Sequence, residues 1–197
     1  MHSAVHSAQL NLVNNEVQLL AESVADNLFF GIRPTKMRAK DLPSSVIERG
    51  LNILRLLDAS DKLIVLAGDL EAEADNVLSL SRSDRKLIHL ARALIYNAEI
   101  MIIHAPTAGF DRTHQHHIID VLRTYVNEKG VLMDARTRAR RRPRTCVFST
   151  GEVGDLAKVD QIFLCMDGTV VTTTQSKIES SMNDWKEQRR LRMTQIK

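Results

Sequence analysis

Residues 99–111 read EIMIIHAPTAGFD. Ile100, Met101, Ile102 and Ile103 form an unbroken apolar run, the turn residues Ala105-Pro106-Thr107-Ala108-Gly109 come next, and Asp111 closes the stretch. A short apolar run without polar alternation, bounded by turn residues, predicts a buried strand of a parallel sheet that delivers a loop to a site. The strand's exit carries His104 and Ala105, where phosphate chemistry calls for carboxylates.

The flanking segments extend this pattern. SRSDRKLIHLARALIYN (81–97) is the clearest helix, with Leu87, Leu90, Ala91 and Leu94 on one face and Ser81 placed to cap its start. RTHQHHIIDVLRTYVNEKG (112–130) predicts a second helix with Gly130 as its stop. TCVFST (145–150) predicts another strand, and GEVGDLAKVD (151–160) a short helix or turn. QIFLCMDGTVVT (161–172) predicts two strands around a tight Asp167-Gly168 turn.

Towards the N-terminus, VADNLFFGI (24–32) is a short apolar segment closed by Gly31. KDLPSSVIERGLNILRLLDAS (40–60) predicts a helix with a Ser45–Glu48 capping box, slightly weakened by Gly50. KLIVLAGDL (62–70) is an apolar run ending in Gly-Asp. Strands alternating with helices predict an α/β sheet covered on both faces. Residues 176–197 form a polar, basic tail, expected to be helical in part.

Composition narrows the function. Apolar residues make up 44% of the 197 and charged residues 26%, a globular balance. A chain of this length buries roughly 70% of its unfolded surface. Aromatics at 4% argue against a protein built on base stacking. No apolar run approaches the roughly 18 residues of a membrane span. The start, MHSAVHSAQLNL, lacks the basic and long apolar regions of a secretory signal. Cys146 and Cys165 lie in strand-like runs without metal or redox spacing, so a reducing setting is expected. The formal charge of +3 belongs to one segment: RTRARRRPR (136–144) holds six arginines, and without them the balance is −3.

LSRSDRKLIHLARALIYNAEIMIIHAPTAGFD (80–111) resembles the ATP-binding domain of ABC transporters. Leu80 and Ser81 open the family's LSGGQ-type signature, Leu90-Ala91-Arg92-Ala93-Leu94 matches the helix end, and Pro106, Thr107 and Asp111 match the Walker B exit and the D-loop without a gap. The similarity continues both ways. In residues 13–31, Asn15 takes the Q-loop glutamine's position, and Asn27, Phe30 and Gly31 match. In residues 145–171, Thr150, Asp160, Ile162, Asp167 and Gly168 match the switch strand and the segment after it.

The departures fall on the chemistry. His104 stands where the family has the magnesium-holding Asp, Ala105 where it has the Glu that polarises water, and Gly151 where it has the switch His. Arg82, Ser83 and Asp84 replace the signature's Gly-Gly-Gln. No G-x-x-x-x-G-K-[ST] phosphate loop occurs in the 197 residues. Phosphoryl transfer depends on positioning and electrostatics. Alanine moves no proton, histidine is a poor magnesium ligand, and an arginine in place of the first signature glycine brings bulk, though it can still pair with phosphate.

The resemblance implies a partial P-loop NTPase (RecA-like) parallel sheet over residues 1–175, with a helical subdomain at about 33–95 and 136–144 as an arginine-rich insertion loop. It implies a fragment or half-domain, in which strands 100–103 and 146–149 either pair directly or leave an open slot. It implies a degenerate nucleotide-binding domain, ancestrally coupling ATP to transport, at the cytoplasmic face of a membrane. Its partners would be a transmembrane subunit and a second nucleotide-binding domain. No catalytic residue is expected. Asn15, Ser81, Arg82, Ser83 and Asp111 are the candidate nucleotide contacts, vestigial or in trans, with ATP and magnesium held only together with a partner. His114, His117 and Asp120 share a helix face at metal-like spacing, but a solvated face is the expected reading, and no metal site is assigned. A second functional reading makes the chain a scaffold or nucleic-acid-associated module working through 136–144.

Overall fold

The structure, a computed structural model, describes residues 10–13, 17–34, 36–166 and 168–180. The chain divides into two compact units, Met1–Thr150 and Gly151–Lys197.

The first unit is built on three parallel strands, β1 (Leu10–Val13), β2 (Ile100–His104) and β3 (Thr145–Ser149), in the order β1-β2-β3. The apolar run Ile100–Ile103 thus lies in the central strand. β2 and β3 pair directly, from Ile100 opposite Thr145 to His104 opposite Ser149, so no open slot separates them.

Coverage differs from the expectation. Met101 and Ile103 on β2 and Val13 on β1 are buried in the core, and Cys146 and Phe148 on β3 pack against it. The opposite face carries Leu12, Ile102 and Val147 in one register row, at 68%, 37% and 50% exposure. Among the described residues the sheet is therefore covered on one face only. The physical reason is that the apolar faces of the helices before and after β2 join the same core as Met101 and Ile103.

The described residues of this unit form five α-helices: the sequence predicts the three at 44–56, 82–96 and 112–127, and the two apolar segments at 24–32 and 62–70 supply the others. α1 (Val24–Leu28) starts at Ser23, whose hydroxyl accepts the Asp26 N–H. α2 (Ser44–Leu56) begins directly after Pro43, and no side chain caps it. The Ser45–Glu48 box does not form because the helix starts two residues earlier, with Pro43 at the N-cap, and places Ser45 inside the first turn. Residues 62–70 are largely helical: α3 (Asp61–Gly68) is capped by Ser60, which accepts the Leu63 N–H at 3.2 Å. α4 (Arg82–Tyr96) and α5 (Arg112–Asn127) match the predicted helices, with Ser81 and Asp111 as caps. Gly130 follows α5 at φ +124°, a conformation glycine adopts at little cost.

Gly50, a weak point for helix propensity, has a packing reason. A Cβ there would lie 2.4 Å from Cε1 of the buried Phe29 and 3.3 Å from Cδ1 of Ile95 on α4. α2 approaches its neighbours this closely only without a side chain.

The second unit contains a 3-10 helix, Val153–Lys158, and an antiparallel pair, β4 (Ile162–Met166) and β5 (Thr169–Thr173). Gly168 in the connecting turn has φ +74°, while Asp167 lies outside the described residues. Residues 175–180 are helical, and the remainder of the tail lies outside the described residues. Among the described residues no helix is long and apolar enough to cross a membrane.

Candidate nucleotide-facing site

The first turn of α4 and the loop after β2 converge. Ser83, Asp84 and Leu87 line a recess of about 240 Å³ together with Gly109, Phe110, Asp111, Asp58, Ser60 and His114. The sequence places Ser83 and Asp111 28 residues apart, and the fold brings them to one wall. Ser81 and Arg82 stand at the start of the same helix and are exposed. Asn15 lies outside the described residues.

Three helix N-termini contribute to this recess: α3 through Ser60, α4 through Ser83 and Asp84, and α5 through Asp111. Such ends attract anions. Here their own side chains already occupy that role. The Ser81 hydroxyl accepts the Asp84 N–H at 3.0 Å, and the Asp84 carboxylate accepts the Ser81 N–H and hydroxyl at 3.2 and 2.7 Å. Asp111 accepts the His114 N–H at 3.0 Å, and this bond holds its carboxyl below the ordinary value. A phosphate entering the recess would meet the carboxylates of Asp58, Asp84 and Asp111, whose like charge repels it.

At the strand exit, His104 Nδ1 lies 2.7 Å from Ser149 Oγ, and Ala105 donates its N–H to Ser149 O at 3.1 Å. Ala105 has φ +48°, in the left-handed region an alanine seldom adopts. The turn geometry is thus fixed by backbone pairing to β3, while the side chains offer neither a carboxylate nor a strong base. Gly151 opens the second unit and is exposed.

A narrow recess of about 20 Å³ lies at the carboxyl ends of β1 and β2, walled by Val13, Lys86, His89, Ile103, His104 and Ala105 among others. Lys86 donates to the Ala108 carbonyl of the loop. His89 was not singled out by the sequence. Both its ring nitrogens are buried without a hydrogen-bond partner, and burial, aided by the Arg92 charge, pushes its pKa down to about 4. An imidazole on a helical face gives no sequence signal of this.

His89 therefore yields a pH prediction. The neutral form is favoured in the folded state, so stability is complete above the ordinary value of 6.5 and falls as pH drops towards about 4. The loss across that window is about 2 kcal/mol, discounted for partial exposure. His89→Leu should raise stability by about 1 kcal/mol at pH 7 and flatten this part of the profile. Urea melts between pH 7 and 4 that show parallel profiles for both proteins would contradict this role.

The matched residues of the resemblance hold one another. Arg92 of α4 donates to Asn27 O at 2.9 Å and Asn27 Oδ1 at 3.3 Å, and its guanidinium lies 5.3 Å from the Phe30 ring centroid. Asn27, fully buried, donates to the carbonyls of Leu20, Glu22 and Ser23. His114 and His117 do not gather into a metal set. Their Nε2 atoms lie 2.9 and 2.5 Å from the carbonyls of Leu57 and Leu56, fastening α5 to the end of α2.

No family model matches the chain. It is 29% identical over 146 residues to the phosphate import ATP-binding protein PstB of Mycobacterium intracellulare, covering 72% of this chain and 48% of that protein. It is 27% identical over 133 residues to the glutathione/L-cysteine transport ATP-binding/permease protein CydC of Escherichia coli, covering 68% and 21%. The chain spans about half the length of the phosphate-import relatives it matches. Among solved structures, an inward-facing putative metal-chelate type ABC transporter matches with a TM-score of 0.57 at 19% identity, covering 86% of this chain and 60% of that one. A dimeric ATP-binding cassette in a post-hydrolysis state, bound to ADP and Pi, matches with a TM-score of 0.60 at 16% identity, covering 85% and 63%.

Proposed function

Proceeding from a chain that is similar in sequence to ABC-transporter ATP-binding proteins and shares the fold of their ATPase domains, we propose that it is a degenerate nucleotide-binding domain that does not hydrolyse ATP alone. It works beside a second nucleotide-binding domain and a transmembrane subunit, at the cytoplasmic face of a membrane. ATP and magnesium are held on the partner's phosphate loop. This chain offers the start of α4, Ser81 to Ser83, and Asp111 to the nucleotide in trans.

The observation that supports this reading is the shared recess of Ser83 and Asp111 beside a strand that ends in His104 and Ala105. The first pair keeps a surface that faces outward, and the second lacks the groups that would hold magnesium and activate water. An arginine at position 82 adds a charge that can pair with a phosphate held by another chain.

Thermal melts of the purified chain with and without magnesium-ATP test the first half of the reading. A melt that millimolar nucleotide leaves unmoved is expected, because stabilisation by a ligand follows its affinity for the folded state. A clear rise, or phosphate release by the chain alone, would overturn it. The in-trans half is tested by Ser81→Arg in the assembled transporter, where the partner's ATPase rate should fall. An unchanged rate removes that role.

A further inference from the structure

The arginine run has no role in the proposed nucleotide contacts, and the structure gives it a definite form. Residues Ala135–Arg140 form a 3-10 helix capped by Asp134, whose carboxylate accepts the Arg136 N–H at 3.0 Å. The segment is fastened to the carboxyl end of α5. Arg138 donates to Asn127 O at 2.9 Å, and Arg141 donates to Glu128 O at 2.8 Å. Arg144 reaches Asn97 Oδ1 at 3.3 Å, beyond the end of α4. Cations at helix C-termini complement the exposed carbonyls, so these three arginines act as ties.

The other three point their charge outward. Arg136 pairs with Asp134 at 2.8 Å while its side chain stays 90% exposed. Arg142 pairs with Glu99 at 3.1 Å and is 45% exposed. Arg140 has no hydrogen bond or ion pair among the described residues. Across the segment six guanidiniums face three carboxylates, Asp134, Glu128 and Glu99, which leaves an excess of three positive charges on a held ledge.

We infer that this ledge binds the phosphate backbone of a nucleic-acid duplex. Guanidinium forks match phosphate oxygens in a two-pronged geometry that ammonium groups do not. A ledge already held by carbonyl bonds loses less side-chain entropy on binding than a free loop. The segment 136–144 has no aromatic residue on which unpaired bases could stack, which disfavours single strands. Its only apolar members are Ala139 and Pro143, so it offers nothing bulky to insert into a lipid surface. Backbone contacts of this kind carry no base readout, so the binding is independent of sequence.

The test uses the full chain and duplex DNA or duplex RNA of about 20 base pairs, followed by fluorescence anisotropy. With three phosphates neutralised, affinity should fall about 40-fold between roughly 50 and 200 mM salt, a log–log slope near about −3. The variant Arg136→Gln/Arg140→Gln/Arg142→Gln spares the three ties, so it should melt like the parent and lose binding. If it melts lower, Arg140→Gln alone decides, because it removes an unpaired charge and should reduce the slope by about one. No binding at the lower salt, binding that survives the substitutions, or arginine-dependent binding to phosphatidylserine vesicles without duplex binding would each overturn the inference.

Discussion

Arg49→Met should lower folding stability by about 3 kcal/mol, read as a lower urea midpoint with an unchanged slope. Arg49 lies on α2, and its guanidinium reaches two other parts of the unit. Nη1 donates to Ile95 O at 3.1 Å and Nη2 to Leu94 O at 3.2 Å, both carbonyls in the last turn of α4. Nε and Nη2 donate to Val131 O at 3.2 and 3.1 Å, just beyond α5.

A helix leaves its last four carbonyls without intrahelical partners, and a cation there also complements the helix dipole. Burial, aided by the nearby Arg141 charge, lowers the Arg49 pKa, yet an arginine remains charged under ordinary conditions. Methionine keeps the apolar stem and removes every donor, leaving three carbonyls short of a partner. Arg49→Lys should fall between, because one ammonium cannot span three acceptors with the same fork. A loss below about 1 kcal/mol for Arg49→Met would show that water replaces the clamp at little cost.

Asp26→Ala should cost about 3 kcal/mol at pH 7, and the cost should shrink in acid. Asp26 is 2% exposed. Its carboxylate accepts the Ala39 N–H at 2.7 Å, the Ser23 hydroxyl at 2.8 Å and Arg38 Nε at 2.6 Å. Burial by itself would raise the carboxyl's pKa, but the Ala39 N–H, the Ser23 hydroxyl and the Arg38 charge outweigh it and hold the group below 3.8.

A carboxyl depressed on folding contributes its stability above the unfolded value and loses it as pH falls through the folded one. The gap between parent and variant should therefore be full at neutral pH and narrow as pH falls below 3.8 towards the lowered folded-state value. Paired denaturation curves at pH 7 and in acid measure it directly, and a gap of equal size at both would assign the effect to packing rather than charge.

Much of the framework was legible because it is local. The alternation of apolar and capping residues over 81–97 gave α4 and its Ser81 cap, and the run Ile100–Ile103 gave β2. The two apolar runs on either side of Gly168 gave the pairing of β4 with β5. Local signals left the state of residues 62–70 open. KLIVLAG carries no clear alternation, and its helical state in α3 follows from the Ser60 cap and from burial of Leu63 and Ala67. Ser45 suggested a capping box because sequence alone does not weigh it against the preceding proline.

The candidate site was legible in part for the same reason. Ser81, Ser83 and Asp111 were singled out by the family resemblance as candidates, but the sequence could not show that Asp84 and His114 engage the capping side chains. His89 and Arg49 gave no signal, since an orphaned imidazole and a three-carbonyl clamp are defined only by what surrounds them.

The sequence by itself determined the clearest helices and strands, such as α4, α5 and β2, and where positive charge concentrates, because each is written in neighbouring residues. The tertiary structure decided that β2 and β3 pair without an intervening strand, that the row Leu12, Ile102 and Val147 stays exposed, and that Arg49 joins segments 45 to 82 residues away. These depend on contacts between distant segments, whose partners are fixed by packing the whole core rather than by the period of any one stretch.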